Sequence, residues 1–84
     1  MYVSFHNIKL HYEKYGDGKK VILILPGWGE TKKSFSILID LLKQDYTVYF
    51  IDYPGFGQSP FPNKNLTMYD YAELIIFFLD TLKI

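Results

Sequence analysis

The segment between Val21 and Ile51 limits the possible folds of this chain more than any other feature. It begins with five consecutive apolar residues, Val21–Leu25, and ends with a β-branched and aromatic run, Tyr46–Ile51. Between these runs, apolar side chains recur at helical spacing, at Phe35, Leu38, Ile39 and Leu42. A short, wholly apolar run is typical of a strand covered on both faces, as in parallel sheets. We therefore predict an α/β fold built on a strand, helix, strand unit with a right-handed crossover.

The N-terminal segment is predicted to form a β-hairpin. Apolar and polar residues alternate from Tyr2 to Tyr15, the period of a half-buried strand, and His6-Asn7 interrupts the alternation. Asn tolerates positive φ, so this pair is expected to turn the chain. The alternation places His11 on the polar face. We therefore expect both histidines to be ordinary surface residues, and we predict no metal site.

The helix ends carry capping signals. Thr31 or Ser34 is the expected N-cap of the first helix. Residues 52–66 are rich in Gly and Pro, which indicates a long loop, and Thr67–Asp70 then fits a capping box that opens a second helix. In that helix Phe77 falls on the polar stripe. Either it is a single exposed aromatic residue, or further protein covers this side of the helix.

Composition excludes several classes of function. The 84 residues allow one domain at most. Nine lysines balance nine acidic residues, and no block of like charge indicates a nucleic-acid or membrane partner. Without cysteine there is no disulfide or thiolate chemistry. The longest apolar run, Leu74–Leu79, is far shorter than the ~20 residues of a membrane-spanning helix. We expect a soluble, cytoplasmic chain.

The glycine turn after the first apolar strand has two interpretations. Gly27 and Gly29 match the first two glycines of a dinucleotide-binding loop. Asp52 ends the next strand, where such a loop is followed by an acidic residue that binds the ribose. However, Lys32 stands in place of the third glycine, and Trp28 would crowd a pyrophosphate. The other interpretation is an oxyanion loop, in which the turn presents a backbone N–H at Trp28 to a developing oxyanion.

Two motifs in order carry a family resemblance. Leu25–Gly29 is followed by a helix and then by the segment Val48–Ser59, in which Asp52–Ser59 reads D-x-x-G-x-G-x-S. Together they closely resemble the N-terminal part of α/β-hydrolase fold enzymes, which carry an oxyanion loop after the third strand and this second loop after the fourth. The resemblance runs over essentially the whole chain, the hairpin and the final helix included.

The resemblance implies a role for each matching residue. Trp28 would supply a backbone N–H to the oxyanion hole. The residues that would shape this oxyanion loop are Pro26, Gly27 and Gly29. The residues that would shape the loop beside the active-site entrance are Asp52, Gly55, Gly57 and Ser59. Pro26 replaces the histidine that the family often has, and the peptide bond before a proline can be cis. The family resemblance implies no metal and no organic cofactor.

The family's catalytic triad is expected to lie outside these residues. The nucleophile sits in a G-x-S-x-G elbow after the fifth strand, followed by an acid and a His. Ser59 comes nearest to this pattern, but Pro60 and Phe61 follow it. The two histidines, His6 and His11, precede every candidate serine except Ser4 and lie in the hairpin. We expect the chain alone to be inactive.

Residues 1–84 are therefore predicted to be a single partial domain, the N-terminal segment of a serine-type α/β-hydrolase. The complete protein would cleave an ester, amide or related bond of a small molecule. By the family's strand order, Val21–Leu25 would form a free apolar edge, available to a second copy or to a complementing C-terminal chain. The alternatives are a small Rossmann-like nucleotide-binding module and a non-catalytic interaction fragment.

Overall fold

The fold was obtained as a computed structural model, which describes residues 1–27, 30, 32–62 and 65–84. It contains four strands, one 3-10 helix and two α-helices. In chain order these are β1 (Tyr2–Phe5), β2 (Ile8–Tyr15), β3 (Val21–Ile24), the 3-10 helix (Lys32–Phe35), α1 (Ser36–Leu42), β4 (Thr47–Asp52) and α2 (Met68–Thr81). The predicted hairpin, strand-helix-strand unit and final helix are confirmed.

The hairpin turns at the predicted pair. His6 and Asn7 both have positive φ, 47° and 65°, and Phe5 pairs with Ile8 across the turn. A two-residue turn with both φ values positive matches the right-handed twist of the strands that it joins. The period-2 pattern therefore predicts the strands, and the His6-Asn7 pair that interrupts it predicts the turn.

The four strands form one sheet in the order β1-β2-β4-β3. β2 pairs antiparallel with β4, and β3 pairs parallel with β4. As predicted, β3 lies at an edge of the sheet. Because β3 and β4 are parallel, their carboxyl ends lie at the same end of the sheet, where open α/β folds bind ligands.

The core lies on both faces of β4, which is buried along its whole length. Tyr49 and Ile51 of β4 point toward α2, in a cluster that includes Phe78. Val48 and Phe50 point the other way, toward α1. β3 is less covered than the sequence predicts, since Val21 is 41% exposed and only Ile24 is buried in this strand. An edge strand lacks a neighbour on one side, which explains the difference.

The start of α1 differs from the prediction. Ser34 lies inside the 3-10 helix, and the N-cap position of α1 is Phe35, whose side chain makes no capping hydrogen bond. Ser34 is therefore not the cap, because a tighter helical turn precedes the α-helix. The other candidate, Thr31, lies outside the described residues. Of the predicted inner face, Ile39 is buried, whereas Leu38 is 45% exposed.

The capping box that opens α2 is confirmed. The Thr67 backbone N–H donates to Asp70 Oδ2 at 2.8 Å, and the Asp70 N–H donates to Thr67 Oγ1 at 3.2 Å. These reciprocal bonds satisfy two of the N–H groups that a helix start leaves unpaired. In the described part of the chain, no helix is long and apolar enough to cross a membrane.

Phe77 is partly covered by the hairpin. Its ring lies 4.5 Å from the ring of Phe5, centroid to centroid, and the side chain is half-buried. The placement of α2 against β1 explains this contact, which the helix makes in addition to the sheet core. That further protein covers the remaining exposed part of this side of α2 stays a prediction.

Candidate functional site

An open cleft lies at the carboxyl ends of β3 and β4. We call it the strand-end cleft; its volume is about 360 Å³, and its lining residues are Leu25, Pro26, Tyr53, Met68, Tyr71, Ala72 and Ile75. Most of this lining is apolar. Burial raises the pKa of Tyr53, as does the neighbouring Tyr71, and burial raises the pKa of Tyr71. Both phenols are therefore neutral near pH 7.

The loop after β3 forms one wall of the strand-end cleft. Pro26 is buried there, and the bond before it is trans, since no cis peptide occurs among the described residues. The Gly27 N–H donates to the Glu30 carboxylate, and the Glu30 N–H donates to the Gly27 carbonyl at 2.9 Å. Glu30 thus closes the turn. The predicted Trp28 and Gly29 lie outside the described residues, so the oxyanion donor at Trp28 stays a prediction.

The loop after β4 is tied to the sheet through Asp52. Its Oδ2 atom accepts from His11 Nδ1 at 3.0 Å and from the Gln58 backbone N–H at 3.1 Å. Ser59 Oγ donates to the Asp52 carbonyl at 2.7 Å and accepts from the His11 backbone N–H at 2.7 Å. All these side chains except that of Gln58 are buried. The loop therefore returns to the end of β4 and to β2.

The two motif glycines of this loop adopt conformations that other residues rarely take. Gly55 has φ +86° and Gly57 has φ +52°. A Cβ atom on Gly57 would collide with the Asp52 carboxyl group, whereas one on Gly55 would meet the Phe61 ring at 2.9 Å. Gly57 is thus needed both for its backbone angle and for the close approach of Asp52.

His11 is not the surface residue that the sequence predicts. It is only 5% exposed, because the loop after β4 covers the polar face of β2, while His6 in the turn is exposed. His11 and Asp52 are directly paired across the β2–β4 ladder. Pairing the predicted strands in register would have revealed the contact, because that register places His11 opposite Asp52.

Ser59, His11 and Asp52 lie together but do not form a catalytic triad. A triad needs a hydrogen bond between the serine hydroxyl and the imidazole. Here Ser59 Oγ accepts a hydrogen bond from the His11 backbone N–H, and the imidazole Nδ1 is hydrogen-bonded to Asp52 instead. In addition, Ser59 is 5% exposed, which closes it to a substrate. This arrangement stabilises a loop.

A second polar cluster lies near the start of the 3-10 helix. Lys32 Nζ lies 2.8 Å from Glu13 Oε2, and the Tyr15 hydroxyl donates to Glu13 Oε1 at 3.0 Å. Burial alone would raise the pKa of Glu13, but the hydrogen bonds from Lys32 and Tyr15 outweigh it and lower that pKa. The bond to Glu13 raises the pKa of Lys32, and burial raises that of Tyr15.

These contacts weigh against the dinucleotide-binding interpretation. The carboxylate of Asp52 is buried and already hydrogen-bonded, and the ammonium of Lys32 is paired with Glu13. The strand beside β4 is moreover the antiparallel β2, whereas a mononucleotide-binding half has parallel strands throughout. In the part of the chain that the structure describes, no three His, Asp or Glu side chains converge on a possible metal position.

Comparisons with known proteins agree with this geometry. A family profile described as alpha/beta hydrolase fold matches residues 20–84. The pimeloyl-[acyl-carrier protein] methyl ester esterase of Shewanella woodyi is 42% identical over 67 residues, which cover 80% of this chain and 25% of that protein. Its counterpart from Proteus mirabilis is 32% identical over 68 residues, with the same two coverages.

A solved structure extends the likeness to the whole chain. The epoxide hydrolase VrEH1 of Vigna radiata superposes with a TM-score of 0.88 at 26% identity, covering 100% of this chain and 28% of that one. The chain thus spans about a quarter of the length of the relatives that it matches. Because the family profile covers most of the chain and the strand order and superposition agree with it, the chain belongs to the alpha/beta hydrolase fold family.

Proposed function

We propose that residues 1–84 are the first part of a serine-type hydrolase that cleaves a carboxylic ester. In this proposal the chain supplies the oxyanion loop, and the nucleophile, the acid and the catalytic histidine lie in polypeptide that follows it. The observation that carries the proposal is the strand-end cleft, which joins the loop after β3 to the first turns of α2. Two relatives named as methyl ester esterases favour an ester over an amide.

The chemistry asked of the oxyanion loop is electrostatic. Attack on an ester carbonyl places negative charge on its oxygen, and a fixed backbone N–H pointing at that oxygen lowers the barrier. The turn that Glu30 closes at Gly27 would hold the Trp28 N–H for this purpose. The apolar lining of the strand-end cleft suits the hydrocarbon part of an acyl group.

The roles of the second loop are part of the same proposal. Asp52, Gly55, Gly57 and Ser59 would shape the entrance to the site without touching the reacting atoms. Two observations support this. The hydrogen bonds of Asp52 and Ser59 are made to the backbone of the loop and of β4, and the two glycines adopt the positive φ angles that the loop requires. The location that fits this proposal is cytoplasmic, in agreement with a sequence that contains no cysteine.

The partial-domain proposal gives the free edge of β3 a partner. β3 pairs only with β4 in the described sheet, and its residues include neither proline nor charge. Strand edges of this kind accept further strands unless they are blocked. We propose that the following polypeptide pairs here in the complete protein, and that a second copy of the chain does so in its absence.

The proposal is tested by hydrolysis of p-nitrophenyl butyrate with the chain and its Ser59→Ala variant. Both should release p-nitrophenol at the rate of buffer alone, because the nucleophile is absent from the chain. A saturable activity that Ser59→Ala abolishes would contradict the proposal. Titration with NAD is the companion experiment, and saturable binding would favour the nucleotide-binding module instead.

A further inference from the structure

His11 carries two hydrogen bonds that the D-x-x-G-x-G-x-S motif does not account for. Its Nδ1 atom bonds to Asp52, and its backbone N–H bonds to Ser59 Oγ. The side chains of His11 and Asp52 are only 7% and 11% exposed. A buried carboxylate is costly unless donors surround it, so the imidazole is part of what keeps Asp52 in place.

The backbone of Gln58 is held by two hydrogen bonds, one to Asp52 at the end of β4 and one to Tyr2 of the hairpin. The Gln58 N–H donates to Asp52 Oδ2, the same oxygen that His11 contacts, and the Gln58 carbonyl accepts from the Tyr2 hydroxyl at 3.3 Å. The Tyr2 ring in turn lies edge-on against the imidazole, with centroids 4.9 Å apart. His11 therefore contacts both Asp52 and Tyr2, the two residues that hydrogen-bond to the backbone of Gln58.

We propose that His11 is the positioning residue for the loop Tyr53–Ser59, which it orients through Asp52. Tyr53 follows Asp52 directly and lines the strand-end cleft, so the contact reaches the cleft wall through one peptide bond. The inference does not depend on which reaction the cleft serves. The D-x-x-G-x-G-x-S motif includes only residues of the loop and of the end of β4, whereas His11 lies in the hairpin.

The chemistry of the contact makes a distinct prediction for the imidazole. A carboxylate oxygen accepts and does not donate, so the His11 nitrogen that faces Asp52 carries a proton. Nitrogen-15 NMR of protein labelled in its histidines should show a protonated Nδ1 for His11. An unprotonated Nδ1 in the wild-type protein would overturn the proposal without any variant.

Two variants separate positioning from space filling. His11→Asn keeps an N–H donor near the position of Nδ1, whereas His11→Gln moves the donor outward to the position of Nε2. Amide hydrogen exchange of Gln58 should stay within about threefold of wild type in His11→Asn. In His11→Gln it should accelerate by at least about tenfold, the factor for losing one hydrogen bond to a charged group.

The exposed histidine of the turn supplies the control. His6→Asn should leave the exchange of Gln58 unchanged, because the exposed His6 makes none of the hydrogen bonds described for Asp52, Gln58 and Ser59. If His11 merely fills space, the larger Gln would substitute better than Asn. Equal protection in the two His11 variants, or better protection in His11→Gln, would overturn the proposal.

Discussion

Gly57→Ala should destabilise the chain far more than the matched substitution Gly55→Ala. Both glycines have positive φ, so an alanine costs about 1–2 kcal/mol of backbone strain at either position. The two sites differ in what the new methyl group meets. At Gly57 it is the buried carboxyl of Asp52, and at Gly55 it is the ring of Phe61, which is 86% exposed and free to rotate away.

The difference can be worked out from the hydrogen bonds of Asp52. Moving its carboxyl aside breaks the bonds from Gln58 and His11, and a hydrogen bond to a charged group contributes about 1.5–3 kcal/mol. Losing one of them brings Gly57→Ala to about 3–5 kcal/mol in total, against about 1–2 kcal/mol for Gly55→Ala. The gap between the variants is therefore about 2–3 kcal/mol.

Urea unfolding followed by far-ultraviolet circular dichroism measures this gap. With a slope of about 1 kcal/mol per molar urea for a small chain, the Gly57→Ala midpoint should lie about 2 M below that of Gly55→Ala. A folded baseline for Gly55→Ala and none for Gly57→Ala would agree with the same reasoning. Midpoints within about 0.5 M of each other would refute it, since the Asp52 contact would then carry no measurable energy.

Three further predictions concern other parts of the chain. The lowered pKa of Glu13 stabilises the fold above its ordinary value of 4.5, and this is lost as the pH falls through the lowered pKa. The wild-type chain should therefore lose more unfolding free energy between pH 7 and pH 3 than Glu13→Gln does. The difference should be less than about 1 kcal/mol, because the pair with Lys32 is partly exposed. A larger loss in the variant would contradict this prediction. Phe77→Ala should lower the free energy of unfolding, measured in urea, by about 1–2 kcal/mol, because Phe77 contacts the hairpin. Ile76→Ala should lower it by under about 0.5 kcal/mol, because Ile76 is exposed. The reverse order would count against the contact between Phe77 and the hairpin. Val21→Lys should reduce self-association in sedimentation by charging the edge of β3, and a wild-type chain that stays monomeric at high concentration would exclude that edge as a pairing site.

Local patterns in the sequence were enough to predict the frame of the fold. Alternation and a turn-prone pair placed the hairpin at His6 and Asn7, and the apolar runs placed β3 and β4. The Thr67–Asp70 signal placed the start of α2. Each of these signals lies within a few residues of what it predicts, so no knowledge of distant contacts was needed.

The features that the sequence missed depend on distant contacts. His11 reads as a polar surface residue until the register sets it opposite Asp52 and the returning loop covers it. Phe77 reads as uncovered until α2 is placed against Phe5 of β1. In both cases the pattern assigned the face correctly, and a segment remote in sequence decided what lay over it.

The coding DNA that follows the codon for Ile84 tests the proposed hydrolase most directly. An in-frame extension should encode a strand that pairs with the edge of β3, followed at once by a G-x-S-x-G elbow that supplies the nucleophile. An in-frame stop codon with unrelated sequence after it would contradict the proposal that this chain is the first part of a serine-type hydrolase.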